Sequence, residues 1–405
     1  LYSLSSFDQL TNPSDITDMA GIATPPTTTS ELAYTWVAQY APNSAALWQE
    51  HYQAVSSYNS VIQGVEEATG GTGQQKKVLK AEALLGRAFE YFCLVNEYGK
   101  SYDSVTAASD PGVPLIISDD VAQKTPPRSP VKEVYDFIIA DINAALPDLP
   151  RENSTNRFRG SKAAGYSLLA RVYFYARNYT KAADYAQQAL DETIGQSLLD
   201  YTSMSSVTSI PPLAVRPDAI YARAVWGNRE PTIRHLKRFN TNDKRLRFFY
   251  TNLGNYTFPN RGTVRYAFGG LSGSTNHDNI GTSIQEMVLI LAEAAARRND
   301  LTEALKQLDS LRKNRIPAAN YTPYQSTDQE EVLKFILEER ELEFPFNGLR
   351  WFDMRRLNFE GRMPAVNRYD GAGTLIATLA PKSPRYTFQV PELVMQFNPG
   401  MEQNP

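Results

Sequence analysis

The densest group of residues that could do chemistry is a run of charged side chains near the end of the sequence: Glu338, Glu339, Arg340, Glu341, Arg350, Asp353, Arg355 and Arg356. Paired carboxylates could serve as the general acid and general base of a hydrolysis. On a helix and the turn after it, however, acidic and basic residues at this spacing more often pair with each other. We therefore predict structural ion pairs in this region, and a protein that is not an enzyme.

A second group consists of aromatic residues in segments without a regular hydrophobic period. Trp36 and Trp226 lie in such segments, with other aromatic and polar residues nearby. A sugar ring presents a weakly polar C–H face that stacks on an indole, while its hydroxyl groups bond to polar side chains. The alternative is that each ring anchors a loop to the scaffold. The predicted ligand-binding residues are Tyr34, Trp36, Tyr40, Trp226, Asn228, Arg229, Tyr256 and Tyr266.

Composition argues against several other kinds of site. The histidines His51, His235 and His277 are scattered without the spacing of a transition-metal site. No cofactor is therefore predicted, although a calcium ion held by loop carboxylates stays open as an alternative. The net charge of -3 provides no positive field for a phosphate backbone, so no nucleic-acid partner is expected.

Helices must position these groups, because apolar residues recur at every third or fourth position over long stretches of the sequence. We predict helices over residues 46–65, 75–98, 131–146 and 328–344. The first forty-five residues show no such period and are predicted to be loop. Residues 101–130 contain five prolines and are predicted to form a loop or a short hairpin.

Two further stretches have small and aromatic residues at the spacing of a tetratricopeptide unit, which is a pair of packed helices. In residues 161–190 the small positions include Ala170 and Ala182, and in residues 288–311 they include Ala292 and Ala304. Small residues are needed there because two helix backbones approach each other closely. The sequence thus predicts a mainly all-α fold with tetratricopeptide-like helical repeats and minor short strands.

Residues 191–282 lie between the two repeat stretches and are crowded with aromatic side chains. Insertions in helical repeats map to one face and often form the binding surface. We predict one domain over residues 1–405. Its helical scaffold is mainly in 46–98, 131–190 and 283–344, its irregular, loop-rich ligand-binding insertion is 191–282, and its C-terminal irregular segment is 345–405.

Several motifs in order give the chain a broad resemblance to the SusD/RagB family of outer-membrane nutrient-binding lipoproteins. The likeness extends from Trp48 to Pro405. Its residues are Trp48-x3-Tyr52, AEALLGRAFEYF at 81–92, VYDFIIADI at 134–142, LARVY at 169–173, ILEER at 336–340 and GLRWFDMRR at 348–356.

The resemblance implies about four helix pairs in a right-handed superhelix, with the ligand site built from loops and the inserted region. It also implies non-catalytic binding of glycans at the cell surface and their delivery to a SusC-like TonB-dependent transporter. The protein would face the exterior from the outer membrane, attached only by a lipid anchor upstream of this chain. Two alternatives stay open: a peptide-binding RagB-like uptake protein, and a helical-repeat scaffold that binds only other proteins.

Overall fold

The computed structural model describes residues 4–19, 21–37, 45–120, 122–225, 229–251, 253, 264–268 and 277–405. Helices dominate these residues, which confirms the mainly all-α fold predicted from the sequence. In chain order the helices are α1 (Leu4–Thr11), α2 (Thr29–Tyr34), α3 (Ala46–Gly64), α4 (Gly73–Tyr98), α5 (Val131–Ala145), α6 (Lys162–Tyr175), α7 (Tyr179–Asp191), α8 (Ile233–Leu236), α9 (Arg245–Phe249), α10 (Ile284–Arg297), α11 (Leu301–Arg312), α12 (Gln329–Glu343), α13 (Leu349–Phe359) and α14 (Glu392–Phe397).

The strands are short and form antiparallel pairs. They are β1 (Thr17–Asp18), β2 (Ala219–Tyr221), β3 (Ala224–Val225), β4 (Glu230–Pro231), β5 (Tyr250–Thr251), β6 (Arg265–Tyr266), β7 (Asp278–Asn279), β8 (Thr282–Ser283), β9 (Val366–Tyr369) and β10 (Leu375–Leu379). The pairs are β1 with β4, β2 with β8, β3 with β7, β5 with β6 and β9 with β10. The pair of β1 with β4 attaches the insertion to the N-terminal segment, and the pair of β2 with β8 extends to Ser283, the first residue beyond the insertion.

Local sequence explains where several long helices begin. The Thr72 hydroxyl accepts a hydrogen bond from the Gln75 amide, and the Gln75 side chain accepts one from the Thr72 amide, so α4 starts with a capping box. Side chains of Asn178 and Asp300 cap α7 and α11 in the same way, through the amide three residues on. These caps are visible in the sequence, and the predicted helices begin close to them.

The long helices pack side by side in one array. α3 contacts α4, α4 contacts α5, α6 contacts α7, and α10 contacts α7, α11 and α12. The close-packing alanines Ala170, Ala182, Ala292 and Ala304 are all 0% exposed, as closely approaching helices require. A packed helix pair therefore occupies each of the two stretches with repeat spacing. The superhelix of about four pairs stays a prediction.

The insertion supplies most of a second hydrophobic core, which the sequence did not indicate and which Ile16, Leu342 and Phe346 complete. Tyr201 stacks on Phe248 with ring centroids 4.9 Å apart, and Tyr266 packs on Phe346 at 4.8 Å. Short strands and loops offer no long apolar stripe, so this segment buries its apolar area by packing aromatic rings on each other. The aromatic residues of the insertion that the structure describes are mostly buried in this way.

Two segments expected to be irregular contain helices. α1 and α2 lie within the first forty-five residues, but they are eight and six residues long, too short to show a repeating stripe. α13 lies within the C-terminal segment 345–405, and residues 349–358 of this helix are all buried. A helix buried on every side has no polar face, so the amphipathic period that would have indicated it is missing. Among the described helices, none is both long and apolar enough to cross a bilayer.

Candidate functional site

A cavity of about 900 Å³ lies where four separate parts of the chain meet. Its walls are residues 15–18 with Tyr34, residues 232–238 around α8, one face of α12, and residues 361–369, which include β9. Clefts of this size bury most of a small ligand, and they bind it through a few fixed polar groups among apolar ones. This cavity is therefore the candidate ligand site within the described residues.

The wall formed by α12 follows from helical spacing. Glu330, Lys334, Leu337, Glu338 and Glu341 recur at intervals of three and four residues, so they share one face of the helix. The opposite face supplies Val332, Leu333 and Ile336 to the hydrophobic core. Core packing thus orients the charged face of α12 toward the cavity.

The floor of the cavity is a buried ion-pair network centred on Arg350. Its guanidinium donates to both carboxylate oxygens of Asp15 at 2.7 Å and lies 2.9 Å from Glu341. Burial by itself would raise the pKa of Asp15 and of Glu341, but Arg350 and Arg234, together with His235 in the case of Glu341, outweigh it and hold both pKa values below their ordinary range. Both carboxyl groups are therefore ionised at neutral pH.

His235 connects this floor to the core of the insertion. Its Nδ1 is 3.1 Å from Glu341 Oε1, and its Nε2 is 2.7 Å from the Tyr250 hydroxyl. Burial lowers the pKa of His235, which favours the neutral imidazole. An ionised Glu341 can only accept, so Nδ1 donates to it and Nε2 accepts from Tyr250.

Two arginines extend over the floor from the α8 side. Arg234 is 2.9 Å from Asp15 and 3.6 Å from Glu341, and Arg238 is 3.4 Å from Glu341 and 3.5 Å from Glu338. Their side chains are nevertheless 43% and 32% exposed. The carboxylates hold the two guanidinium groups in place and leave N–H donors accessible from the cavity.

Arg368 on β9 holds the N-terminal segment against the cavity. This fully buried side chain donates to four backbone carbonyls, those of Asn12, Ser14, Thr17 and Tyr34, at 2.8–2.9 Å. Its guanidinium carbon lies 4.1 Å from the ring centroid of Tyr34. Tyr34 is among the residues that line the cavity, but it is only 2% exposed, and its hydroxyl donates to Asp18 at 3.3 Å.

The prediction that the Trp36 ring stacks on a sugar is wrong. The indole is 3% exposed, its N–H donates to the Pro13 carbonyl at 3.0 Å, and the Arg368 guanidinium lies 4.4 Å from its ring centroid. A sugar therefore cannot reach the ring without displacing this packing. The chain turns sharply here, with a φ of 54° at Trp36, which directs the indole inward.

Tyr266 and Arg229 are also buried rather than presented to a ligand. The Tyr266 hydroxyl donates to Asp278, and its ring packs in the core of the insertion. Arg229 pairs with Asp8 and donates to the Thr11 hydroxyl at 2.9 Å, which joins the insertion to α1. The other predicted ligand-binding residues, Tyr40, Trp226, Asn228 and Tyr256, lie outside the described residues. Of the described candidates, only Tyr34 lines the cavity.

The predicted ion pairs near the C-terminal end are confirmed. Arg340 donates to Asp353 at 2.8 Å, Glu341 pairs with Arg350, and Glu339 is 2.7 Å from Arg245. What the sequence did not reveal is that Glu341 and Arg350 also form the floor of a cavity. For the wall around α8, the sequence contained one signal that could have indicated it. Arg234 and Arg238 are four residues apart, the spacing of neighbours on one helix face, in an otherwise irregular segment.

Metal binding has no candidate site within the ranges that the structure describes. No group of three or more His, Cys, Asp or Glu side chains there is arranged to hold an ion.

Comparison with known proteins identifies the family and the fold of this chain. Residues 5–174 match a family model described as "Starch-binding associating with outer membrane", and residues 241–405 match the model of the SusD family. The SusD-like protein P2 of Formosa agariphila is 25% identical, in an alignment covering 77% of this chain and 71% of that protein.

Two solved structures have the same fold over nearly the whole chain. A SusD superfamily protein of Bacteroides thetaiotaomicron has a TM-score of 0.79 at 20% identity, covering 99% of this chain and 98% of the other. A SusD-like carbohydrate binding protein of Bacteroides vulgatus has a TM-score of 0.72 at 17% identity, covering 99% and 94%.

Proposed function

Because this chain belongs to the SusD/RagB family, we propose that it binds glycans at the cell surface and delivers them to a SusC-like TonB-dependent transporter in the outer membrane. The family description names starch binding and association with the outer membrane, and one structural neighbour is named as carbohydrate binding. The protein would be a lipid-anchored protein of the outer membrane that faces the exterior.

The cavity beside α12 is the observation on which glycan binding depends. Its volume of about 900 Å³ suits an oligosaccharide better than a single sugar, because it lies near the upper end of ordinary ligand pockets. Arg234 and Arg238 offer N–H donors and Glu338 offers an acceptor for sugar hydroxyl groups. Tyr369, which is partly exposed, adds aromatic surface to the lining.

Residues of the insertion complete the proposed site. Within a single domain over residues 1–405, the loop-rich segment 191–282 would supply Trp226, Asn228 and Tyr256, with Tyr40 from the N-terminal region.

The floor of the cavity supports binding without catalysis. A glycosidase needs one carboxyl group that still holds a proton at working pH and one that is ionised. Asp15 and Glu341 both bond to Arg350, which keeps both of them ionised. Neither can therefore act as the acid, and incubation with oligosaccharides should release no product detectable by chromatography.

Affinity electrophoresis tests the binding proposal directly. The full chain is run through gels that each contain one polysaccharide, and a peptide library is screened in parallel. We expect retardation by at least one glycan, weakened in Tyr369→Ala and unchanged in Phe397→Ala, whose side chain is 79% exposed and does not line the cavity. No retardation by any glycan would refute glycan capture, and binding of peptides alone would favour the RagB-like alternative.

Delivery needs a separate experiment. The lipidated protein, purified from outer membranes under mild detergent, should carry a SusC-like transporter with it. Its absence from the purified sample would refute the transporter partnership and leave glycan binding untouched.

A further inference from the structure

The charges around the cavity are unevenly distributed between the solvent and the interior. The carboxylates of the floor are buried: the side chain of Asp15 is 8% exposed and that of Glu341 is 1% exposed. The cations above them remain accessible, since Arg234 and Arg238 are partly exposed and Lys334 on α12 is exposed. A ligand entering the cavity therefore meets these three cations, together with the accessible carboxylates of Glu330, Glu331 and Glu338, before it reaches the floor.

Most of the charged side chains in the centre of the cavity form ion pairs with one another. Asp15, Glu338 and Glu341 pair with Arg234, Arg238 and Arg350. With six acidic and six basic residues the lining as a whole carries no net charge, but Lys334 is an exposed cation outside these pairs.

No ion pair joins Lys334 to any carboxylate among the residues that the structure describes. The nearest acidic residues on the same helix are otherwise engaged. Glu330 accepts hydrogen bonds from Arg362 at 2.7 and 3.1 Å, and Glu331 accepts one from the Ser326 hydroxyl at 2.7 Å. The Lys334 ammonium group is therefore available to a ligand in the cavity.

We propose that the glycan bound in this cavity is acidic, with an oxyanion, either a uronate carboxylate or a sulfate ester, held between Arg234, Arg238 and Lys334. This proposal rests on the proposed glycan-binding function and specifies its substrate class. A guanidinium group offers paired N–H donors that match the geometry of an oxyanion, and the ammonium adds a further charged donor.

The floor makes this arrangement favourable in two ways. Asp15, Glu338 and Glu341 restrain the two guanidinium groups before the ligand arrives, so less side-chain entropy is lost on binding. Arg350 neutralises the buried carboxylates from the far side, so their repulsion of an incoming oxyanion is reduced.

Matched glycan pairs test the charge requirement on the full chain. Titration calorimetry compares oligogalacturonate with its methyl ester, and a sulfated galactan oligomer with its desulfated form. Neutral xylan and laminarin oligomers complete the panel. We expect binding to a charged member and at least tenfold weaker binding to its neutral counterpart, with an affinity that falls as salt is added. The pair that shows the difference identifies carboxylate or sulfate as the source of the oxyanion.

Substitutions then locate the contact. Lys334→Gln and Arg238→Gln should each weaken the acidic ligand about tenfold, the loss expected for one charged hydrogen bond. Lys306→Gln on α11, whose side chain is 71% exposed, is the matched control and should bind like the parent. Melting curves identify any variant that fails to fold, and Lys334→Gln removes an exposed side chain only.

The outcomes separate the two proposals. Equal or tighter binding of neutral oligomers would overturn the acidic ligand while glycan capture stands. Binding of an acidic oligomer that is unaffected by both substitutions would overturn this site. No binding across the whole panel would count against the glycan-binding function itself.

Discussion

Arg350 and Asp15 face each other across 335 positions of the sequence and share two hydrogen bonds of 2.7 Å each. The contact joins α13 to the N-terminal segment and forms the floor of the cavity. Both side chains are buried, so each is the main compensation for the other's charge. Stability and the shape of the candidate site therefore depend on the same pair.

Asp15→Asn should destabilise the protein strongly. Breaking a buried ion pair costs about 3 to 5 kcal/mol when the remaining charge has no other partner, and because Arg350 would keep Glu341 we expect the lower end, about 3 kcal/mol. Urea denaturation measures the change in the free energy of unfolding. Asp136→Asn is the control, because its pair with Lys132 is exposed at both ends and should be worth about 1 kcal/mol or less. Equal losses in the two variants would contradict the role of Arg350 and Asp15.

Arg368→Lys should loosen the N-terminal segment although the charge is kept. One ammonium group has three donors and cannot reach the four carbonyls that the guanidinium bonds, so unpaired carbonyls should cost about 2 to 3 kcal/mol. The melting temperature should fall, and the rate of proteolysis in the segment before α3 should rise. Arg247→Lys, at an exposed position with one bond to the Ser205 carbonyl, should change neither.

His51 should make the free energy of unfolding decrease as the pH becomes alkaline. Burial opposes its charge, but Glu97 and Glu90, at 3.2 and 2.7 Å, outweigh this and raise the pKa of His51 to about 10. A folded pKa above the unfolded value of about 6.5 gives stability that is complete below pH 6.5 and is lost as the pH rises through 10. Urea midpoints between pH 7 and 10 should fall in the parent.

His51→Gln should lower stability at pH 7 and flatten this decline, because glutamine does not titrate. The comparison of the two slopes removes the contribution of every other titrating group. A variant with the parental slope would show that His51 is not the source.

Ala182→Leu and Ala304→Leu should each overpack a helix pair. Both alanines are 0% exposed between packed helices, and added methyl groups there should cost about 1 to 3 kcal/mol. Ala144→Leu places the same side chain on an exposed position of α5 and should change stability by roughly 0.5 kcal/mol or less. Thermal melts of the three variants would decide; a tolerant response at all three positions would contradict close packing.

The long helices could be predicted from the sequence because their signals are local. A stripe of apolar residues, a capping side chain and a terminal glycine all lie within a few residues of each other, as in α4 between Thr72 and Gly99. α13 had no such signal, since residues 349–358 are buried on every side of the helix and leave no polar stripe facing solvent. The resemblance to the SusD/RagB family could also be recognised from the sequence, because its motifs are short local runs that occur in a fixed order.

By itself, the sequence determined the mainly helical fold, the paired helices, the family and the ion pairing of the C-terminal charges. Only the tertiary structure decided that Trp36 and Tyr266 are buried and that the cavity brings together Asp15, Arg234 and Lys334. The physical reason is that periodicity reports which side of a helix is apolar. Exposure and the meeting of distant residues depend on how the elements pack around one another, and no local pattern of residue types records that.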